Sequence, residues 1–510
     1  PLGINRNTFA FGNAAIDIDT GEYTGDGYGA KPTQMSIVKK VSKISGGYVL
    51  KTSGTVWELP TDPTSPEFKI FKGENNSVNN IVDISSKSAD DHTLALNAEG
   101  YVLAWGAGSY GQLGNGQYGG NEIENNGYDS DVVYATEISV DTDGNDFSNI
   151  IKIAAGISHV LALKNDGSLY VWGTNSDSLL VSTSTEDVLP LPSKMELSVD
   201  GQVLDVAAGG GTNSSGSSGD EGKQQLRFHS MILTNTGSVY VWGHNEENTL
   251  GKDNNNNSGE IEKLESLKNV ISINAARYNS SAITSDGKVY AWGRNDYGQV
   301  STKDGENSIM NTPVQIYSVE YDAEGNAQYT LLENIIDVAA GGYHSLAVDS
   351  DGHVWSWGLN DKGQLGYGTT ENSGAAQMVM IGDNQPMENI VAVAAGNKHS
   401  LALTADGHVY AWGDNTYDQL GASSTVDGDF DKYPVHVTQG TSASGTYTDE
   451  NGVVTTDEHL SNIIQIAAGD NYSAALKADG TVYVWGINNY TVGGKQSSSK
   501  GTNDTRMAPY

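Results

Sequence analysis

One arrangement of apolar and polar positions returns along the chain and is clearest at residues 339–369, AAGGYHSLAVDSDGHVWSWGLNDKGQLGYGT. An apolar run from His344 to Val348 meets a Ser350-Asp351-Gly352 turn, and an alternating run then ends at Trp357-Gly358. Two such runs joined through Asp-Gly predict a β-hairpin, since Gly supplies the backbone that a tight turn needs. A further strand, written Ile-x-x-Ile or close to it, precedes the hairpin at 150–153, 203–206, 270–273, 335–338, 390–393 and 463–466. Weaker copies lie at 37–44 and 81–84. Small residues follow it, as in Ala154-Ala155-Gly156 and Ala394-Ala395-Gly396, the place where strands converging on one axis leave no room for larger ones. The second strand opens on His92, His159, His229, His344 and His399, with Asn279 and Tyr472 at the same position. The third closes on Trp105, Trp172, Trp242, Trp292, Trp357, Trp412 and Trp485.

Successive tryptophans stand 67, 70, 50, 65, 55 and 73 residues apart, which means a fixed unit with loops of free length. A degenerate copy over Gly46 to Trp57 brings the hairpins to eight. One four-stranded unit cannot bury both its faces alone, and neighbours stacked radially can. The expectation is an all-β chain forming one β-propeller of four-stranded antiparallel blades. Eight repeat units are counted, with a seven-bladed ring as the alternative. The units read as 45–84, 85–153, 154–206, 207–273, 274–338, 339–393, 394–466 and 467–510. Residues 1–44 are expected to close the ring: Thr8 to Asn13 looks like the end of a repeat, and Lys31 to Met35 stands where other repeats carry a Pro-led strand.

The string Gly-x-x-His-Ser-Leu-Ala-Leu…Asp-Gly-x-Val-Tyr-x-Trp-Gly-x-Asn-x-x-Gly-Gln-Leu-Gly resembles the regulator of chromosome condensation repeat. It stands at 341–366 and 396–421, and with erosion at 106–114 and 293–299. The resemblance implies a β-propeller, usually seven-bladed, used mainly for protein–protein contacts. The best-known activity of that family is nucleotide exchange on a small nuclear GTPase, together with nucleosome binding. It is not expected here, because this sequence shows no basic tail or arginine-rich loop. Bacterial secreted members are similar in repeat and act as protein-binding modules, including enzyme inhibitors.

Charge sharpens that expectation. With 28 Lys and Arg against 63 Asp and Glu, the net charge of −35 repels phosphate backbones and anionic lipid, so neither nucleic acid nor membrane is an expected partner. No apolar run is long enough to span a bilayer. The absence of Cys removes disulfides, thiolate metal sites and cysteine nucleophiles. A large, acidic, Cys-free chain fits an extracellular or surface-displayed bacterial protein. It begins at Pro1, so a processed product or a fragment is expected.

In such blades the Asp-Gly turns share a face with the connections between successive units, of which 139–149, 318–334 and 439–462 are long and read as loops. The opposite face carries residues 107–134, the Trp-Gly-x-Asn loops and an insertion whose core, Gly210 to Gly219, has the composition of a flexible linker. Aromatics recur five residues after the tryptophan as Tyr110, Tyr297, Tyr417 and Tyr490. They are candidates for a partner or a sugar to stack on, with loop packing the reading the pattern favours. The histidines are read as structural, because Asn279 and Tyr472 replace them and only a hydrogen bond to neighbouring backbone would survive that exchange. Asp141 and Asp143, and Asp427 and Asp429, offer oxygen at the density calcium uses. The glycine and the closing Glu of the twelve-residue calcium loop are out of place, so solvated turns are the preferred reading and no cofactor is expected. No nucleophile elbow, phosphate loop or His-Glu-x-x-His occurs.

The reading is a non-catalytic extracellular or surface scaffold that presents loops of one face to a protein partner. A structural subunit that self-associates in an extracellular assembly, and a carbohydrate-binding propeller using the tyrosines, are the alternatives.

Overall fold

The computed structural model describes residues 33–34, 41–45, 48–58, 68–69, 78–86, 92–118, 135–213, 225–276, 278–300, 310–322, 324–382, 385–422, 430–438, 447–448, 454–455, 459–469, 471–479 and 482–486. Among them are eight sheets built as one antiparallel meander, with strands hydrogen-bonded in the order first, second, third, fourth. The sheet of Ile150–Ala155, His159–Lys164, Leu169–Thr174 and Val188–Lys194 is typical. The described residues divide into two compact units. One holds the four sheets between Ile81 and Gln315. The other holds the sheet beginning at Val41, those beginning at Ile335 and Ile390, and the sheet of Ile463–Ala468, Tyr472–Lys477 and Val482–Gly486. Thr33–Gln34 supplies the fourth strand of that last sheet, pairing Thr33 with Val484 and Gln34 with Tyr483. A strand from early in the chain thus completes the final repeat, at the place where Lys31 to Met35 reads as a Pro-led strand; Thr8 to Asn13, the stretch expected to close the ring, lies outside the described residues.

Two expectations change. Residues 318–334 are not a loop: Tyr317–Tyr321 and Ala327–Leu331 form a hairpin that joins the outer edge of its sheet through a parallel Ser318–Ala376 pairing, making six strands. The turn closes because Asp322 Oδ1 accepts from the amides of Glu324 (3.1 Å) and Asn326 (2.7 Å). Gly210 to Asn213 is not linker either. The first strand of its sheet runs from Val203 to Asn213, since Gly210 to Asn213 find register partners in Phe228 to Gln225. Residues 214–224 lie outside the described set.

Repeats are joined by buried polar contacts that the sequence places at fixed positions. His344 is 1% exposed, and its Nε2 lies 2.9 Å from Oγ of Ser400 in the following repeat. Ser400 Oγ donates in turn to the carbonyl of Gln364 (2.8 Å), and the indole Nε1 of Trp412 donates to that same carbonyl (2.8 Å). The arrangement returns with His229, Ser280, the Thr249 carbonyl and Trp292 at 3.1, 2.9 and 2.8 Å. His399, Ser473 and the Gln419 carbonyl repeat its first two bonds, at 2.9 and 2.7 Å. The histidine is structural, as read from the sequence, and a neighbouring hydroxyl joins the backbone as its partner, as His399 shows with Ser473 and the Tyr472 backbone. Because the serine spends its one proton on the carbonyl, the imidazole donates from Nε2. Burial holds His344 down to about 3 and His399 to about 4.

The glycines follow from the same geometry. A Cβ on Gly396 would meet the ring of its own repeat's His399 at 2.1 Å and the Gly469 carbonyl of the next at 2.5 Å. A Cβ on Gly413, after Trp412, would strike the Lys398 carbonyl at 2.6 Å from a φ of 101°.

His92 is the informative departure. It is fully buried with a pKa lowered to about 3 by desolvation, and neither ring nitrogen finds a hydrogen-bond partner among the described residues. In the next repeat Val160 stands where Ser230, Ser280, Ser400 and Ser473 stand elsewhere. Trp172 still donates to the Gln112 carbonyl (2.9 Å), so the acceptor for a hydroxyl is in place. Val160→Thr is therefore expected to leave the unfolding free energy from urea denaturation unchanged or raise it by up to about 1 kcal/mol. Val241→Thr, at another buried strand position, is expected to lower it.

A second outcome concerns pH. A histidine titrating near 6.5 when unfolded and about 3 when folded leaves stability intact above pH 6.5. That stability declines as pH falls toward 3, because the unfolded chain takes up the proton first. His344→Gln should thus flatten the fall of the urea midpoint below pH 6.5, whereas slopes parallel to the parent's would show that His344 is not held neutral.

Candidate protein-interaction surfaces

The meander sends its loops to two ends. At one end, the loop after each third strand is held from within by side-chain amides. Leu250, Leu365 and Leu420 amides donate to Oδ1 of Asn245, Asn360 and Asn415 at 2.9, 2.9 and 3.0 Å. Tyr110, Tyr297 and Tyr417 amides donate to Oε1 of Gln112, Gln299 and Gln419 at 2.8, 2.8 and 2.9 Å. The rings themselves do less of the holding: Tyr110 is 39% and Tyr297 38% exposed, and Tyr417 is half-buried. Tyr297 rests edge-on against Tyr343 at 5.3 Å. Tyr490 lies outside the described residues.

The other end carries the Asp-Gly turns. Just before six of the eight first strands an asparagine takes a left-handed backbone: Asn80, Asn149, Asn269, Asn334, Asn389 and Asn462, with φ between 56° and 62°. The residue after it bonds back to the Asp-Gly turn of the preceding repeat, as from Ile390 to the Gly352 carbonyl (3.0 Å) and from Ile463 to that of Gly407 (2.9 Å). The first strand then bulges. Pairing skips Ile151, Leu204, Ile271, Ile336, Val391, Ile464 and Val82, and each of these is an aliphatic side chain between 40% and 59% exposed. Single exposed aliphatics are ordinary, but four in one unit and three in the other at the same register position are a repeated feature. The Ile-x-x-Ile pattern contains them at its first x, a position the sequence reading left open. The added hairpin stands on the same connections, with Tyr321 60% and Leu331 42% exposed and all of Ala327–Leu331 exposed along an open strand edge.

Acidic groups here shape turns. Asp141 Oδ1 accepts the amides of Asp143 (3.0 Å) and Asn145 (2.8 Å), and the Asn145 side chain lies 3.3 Å from both its oxygens. Asp322 and Asn326 build the same turn in the added hairpin. Asp143 is exposed. Asp427 and Asp429 lie outside the described residues. Asp349, beside Asp351 and His353, accepts the amides of both and the Trp355 indole at 3.0, 2.9 and 2.9 Å.

Models of the regulator of chromosome condensation repeat match residues 81–112, 150–178 and 227–248, and then 270–299, 335–364, 390–419 and 463–491, with a second model covering 286–348, 351–403 and 406–476. The chain belongs to the regulator of chromosome condensation repeat family. Its sheets are β-propeller blades of that family's kind. Protein pim1 of Schizosaccharomyces pombe is 27% identical over 422 residues, 82% of this chain and 60% of pim1. The ultraviolet-B receptor UVR8 of Arabidopsis thaliana is 26% identical over 68% of this chain and 69% of its own. The Homo sapiens E3 ubiquitin-protein ligase HERC2 is 27% identical over 82% of this chain, which spans only 7% of that protein. Among solved structures, Prp20p of Saccharomyces cerevisiae aligns with a TM-score of 0.50 at 21% identity, covering 80% of this chain and 82% of its own. Human WBSCR16 aligns with 0.51 at 19%, covering 82% and 89%. These two share the fold.

Proposed function

We propose that this chain is a non-catalytic protein-binding propeller whose Asp-Gly-turn end receives the partner. The observation that carries the reading is the set of bulge aliphatics, Val82, Ile151, Leu204 and Ile271 in one unit and Ile336, Val391 and Ile464 in the other. Apolar contacts spaced around acidic turns suit a partner presenting apolar side chains among basic ones, and a net charge of −35 would speed its approach. Relatives support the mode: the structure of Prp20p was described together with its binding to Gsp1p and histones, and another with Kap60 bound. None of those partners is carried over by likeness alone. The acidic, Cys-free composition supports an extracellular or surface location, in a bacterium by the analogy drawn above.

A structural role in an extracellular assembly is the second reading, favoured by the open edge at Ala327–Leu331, which has no charged residue to discourage pairing. The tyrosines of the opposite end support a carbohydrate reading less well, since Tyr297 is engaged with Tyr343.

The deciding experiment compares affinity capture by the parent chain with capture by a folded Ile336→Asp, Val391→Asp, Ile464→Asp variant and by Tyr110→Ala, Tyr417→Ala. A stoichiometric protein lost from the aspartate variant and kept by the tyrosine variant is the expected result. Loss with the tyrosines alone would move the site to the opposite end. Oligomers that form without a partner and disappear in Thr330→Pro would establish the assembly reading.

A further inference from the structure

Three of the chain's ten histidines meet at one place, and the backbone explains why. Val437 donates its amide to the Val409 carbonyl (2.9 Å), and Leu460 donates to that of Val437 (2.9 Å). This ties the third strand, the fourth strand and the end of the 439–462 connection into one row. Val409, Val437 and Leu460 are fully buried. Each is preceded by a histidine, and alternation along extended chain sends those three side chains to the other side together. The rings of His436 and His459 stack at 4.0 Å and 12°, while His408 stands 6.3 Å from the first and 6.4 Å from the second.

The repeat does not require this. In the other sheets the same backbone row passes through Leu169 and Met195, Val239 and Leu264, or Val354, Val379 and Met387. The preceding residues are then Ser168 and Lys194, Ser238 and Lys263, or His353, Met378 and Pro386. Where a lysine stands, it has an ordinary use, as Lys263 shows by pairing with Asp200 at 2.7 Å. Only the sheet of Ile390–His436 brings three imidazoles to these positions among the described residues.

We propose that His408, His436 and His459 form a binding site for a first-row divalent transition metal, zinc being the reference ion, which joins the backbone at His459 to the strand that follows His408 and the strand that ends at His436. Three neutral imidazoles with solvent in the fourth position are a complete donor set for zinc. Bonds of about 2.0–2.1 Å place tetrahedral imidazole centroids about 5 Å apart. The observed spacings of 4.0 to 6.4 Å bracket that value, with His459 exposed and His408 half-buried, and metal binding would require the stacked His436 and His459 rings to turn toward a common point. His408 Nδ1 lies 3.2 Å from Oδ1 of Asp406, which leaves Nε2 free for the metal and orients the ring as carboxylates do around zinc-bound histidines. His436 Nδ1 is buried and has no hydrogen-bond partner among the described residues.

The test is a zinc titration of the full chain, read by calorimetry and by metal analysis after dialysis, at a pH of about 7.5. One equivalent of zinc is expected, with an affinity that falls at least about tenfold in His459→Ala and in His408→Ala and is unchanged in His353→Ala. Both variants alter solvent-accessible side chains, and circular dichroism matching the parent's would show that loss of zinc is not loss of fold. The absence of a stoichiometric site, or zinc binding that survives both variants, would overturn the proposal. So would binding abolished by His353→Ala, which would place the metal at Asp349 and Asp351.

Discussion

The structure depends on a buried polar contact that no repeat can make alone. The histidine of one repeat, the serine and tryptophan of the next, and a loop carbonyl of the first meet in a volume closed to water, as at His344, Ser400, Trp412 and Gln364. Apolar burial supplies most of the attraction between blades, but it is non-directional and would tolerate sliding. A buried donor without its acceptor costs about 1–3 kcal/mol, so the polar contact fixes register where burial alone does not. His92 opposite Val160 shows the array tolerating one such loss.

Several sequence features take their meaning from that contact. The small residues before the second strand leave space for the imidazole and for the neighbouring backbone carbonyl, as at Gly396. The glycine after the tryptophan admits a carbonyl where a side chain would collide. With register fixed inside, the two ends can vary. One gained a hairpin at Tyr317–Leu331, and the other gained the long strands of Val203–Asn213 and Gln225–Thr234.

The fold was legible because its signals are local and repeated: Asp-Gly between apolar runs, tryptophan at one offset, small residues at another. What escaped reading depends on pairing at a distance. Residues 318–334 looked like a loop because their edge partner at Ala376 lies far along the chain. Gly210 to Asn213 looked like linker because composition cannot show that Phe228 to Gln225 will pair with it. The histidine's role was legible, but its serine was not, because repeat spacing does not reveal which residues touch across repeats. The bulge aliphatics were readable in principle: Val82, Ile151, Leu204, Ile271, Ile336, Val391 and Ile464 fill one position that alternation alone assigns to the core. Only the bulge turns them outward. The three clustered histidines carry no sequence signature, being 28 and 23 residues apart and joined only by the backbone row.

A double-mutant cycle on His344 and Ser400 tests the account most directly, with His344→Ala, Ser400→Ala and the double variant compared by urea denaturation. If the pair is the register-fixing contact described, the single costs do not add, and a coupling of about 0.5–3 kcal/mol remains. Additive costs within about 0.5 kcal/mol would mean that the two residues contribute independently to packing and that apolar burial alone sets how the repeats meet.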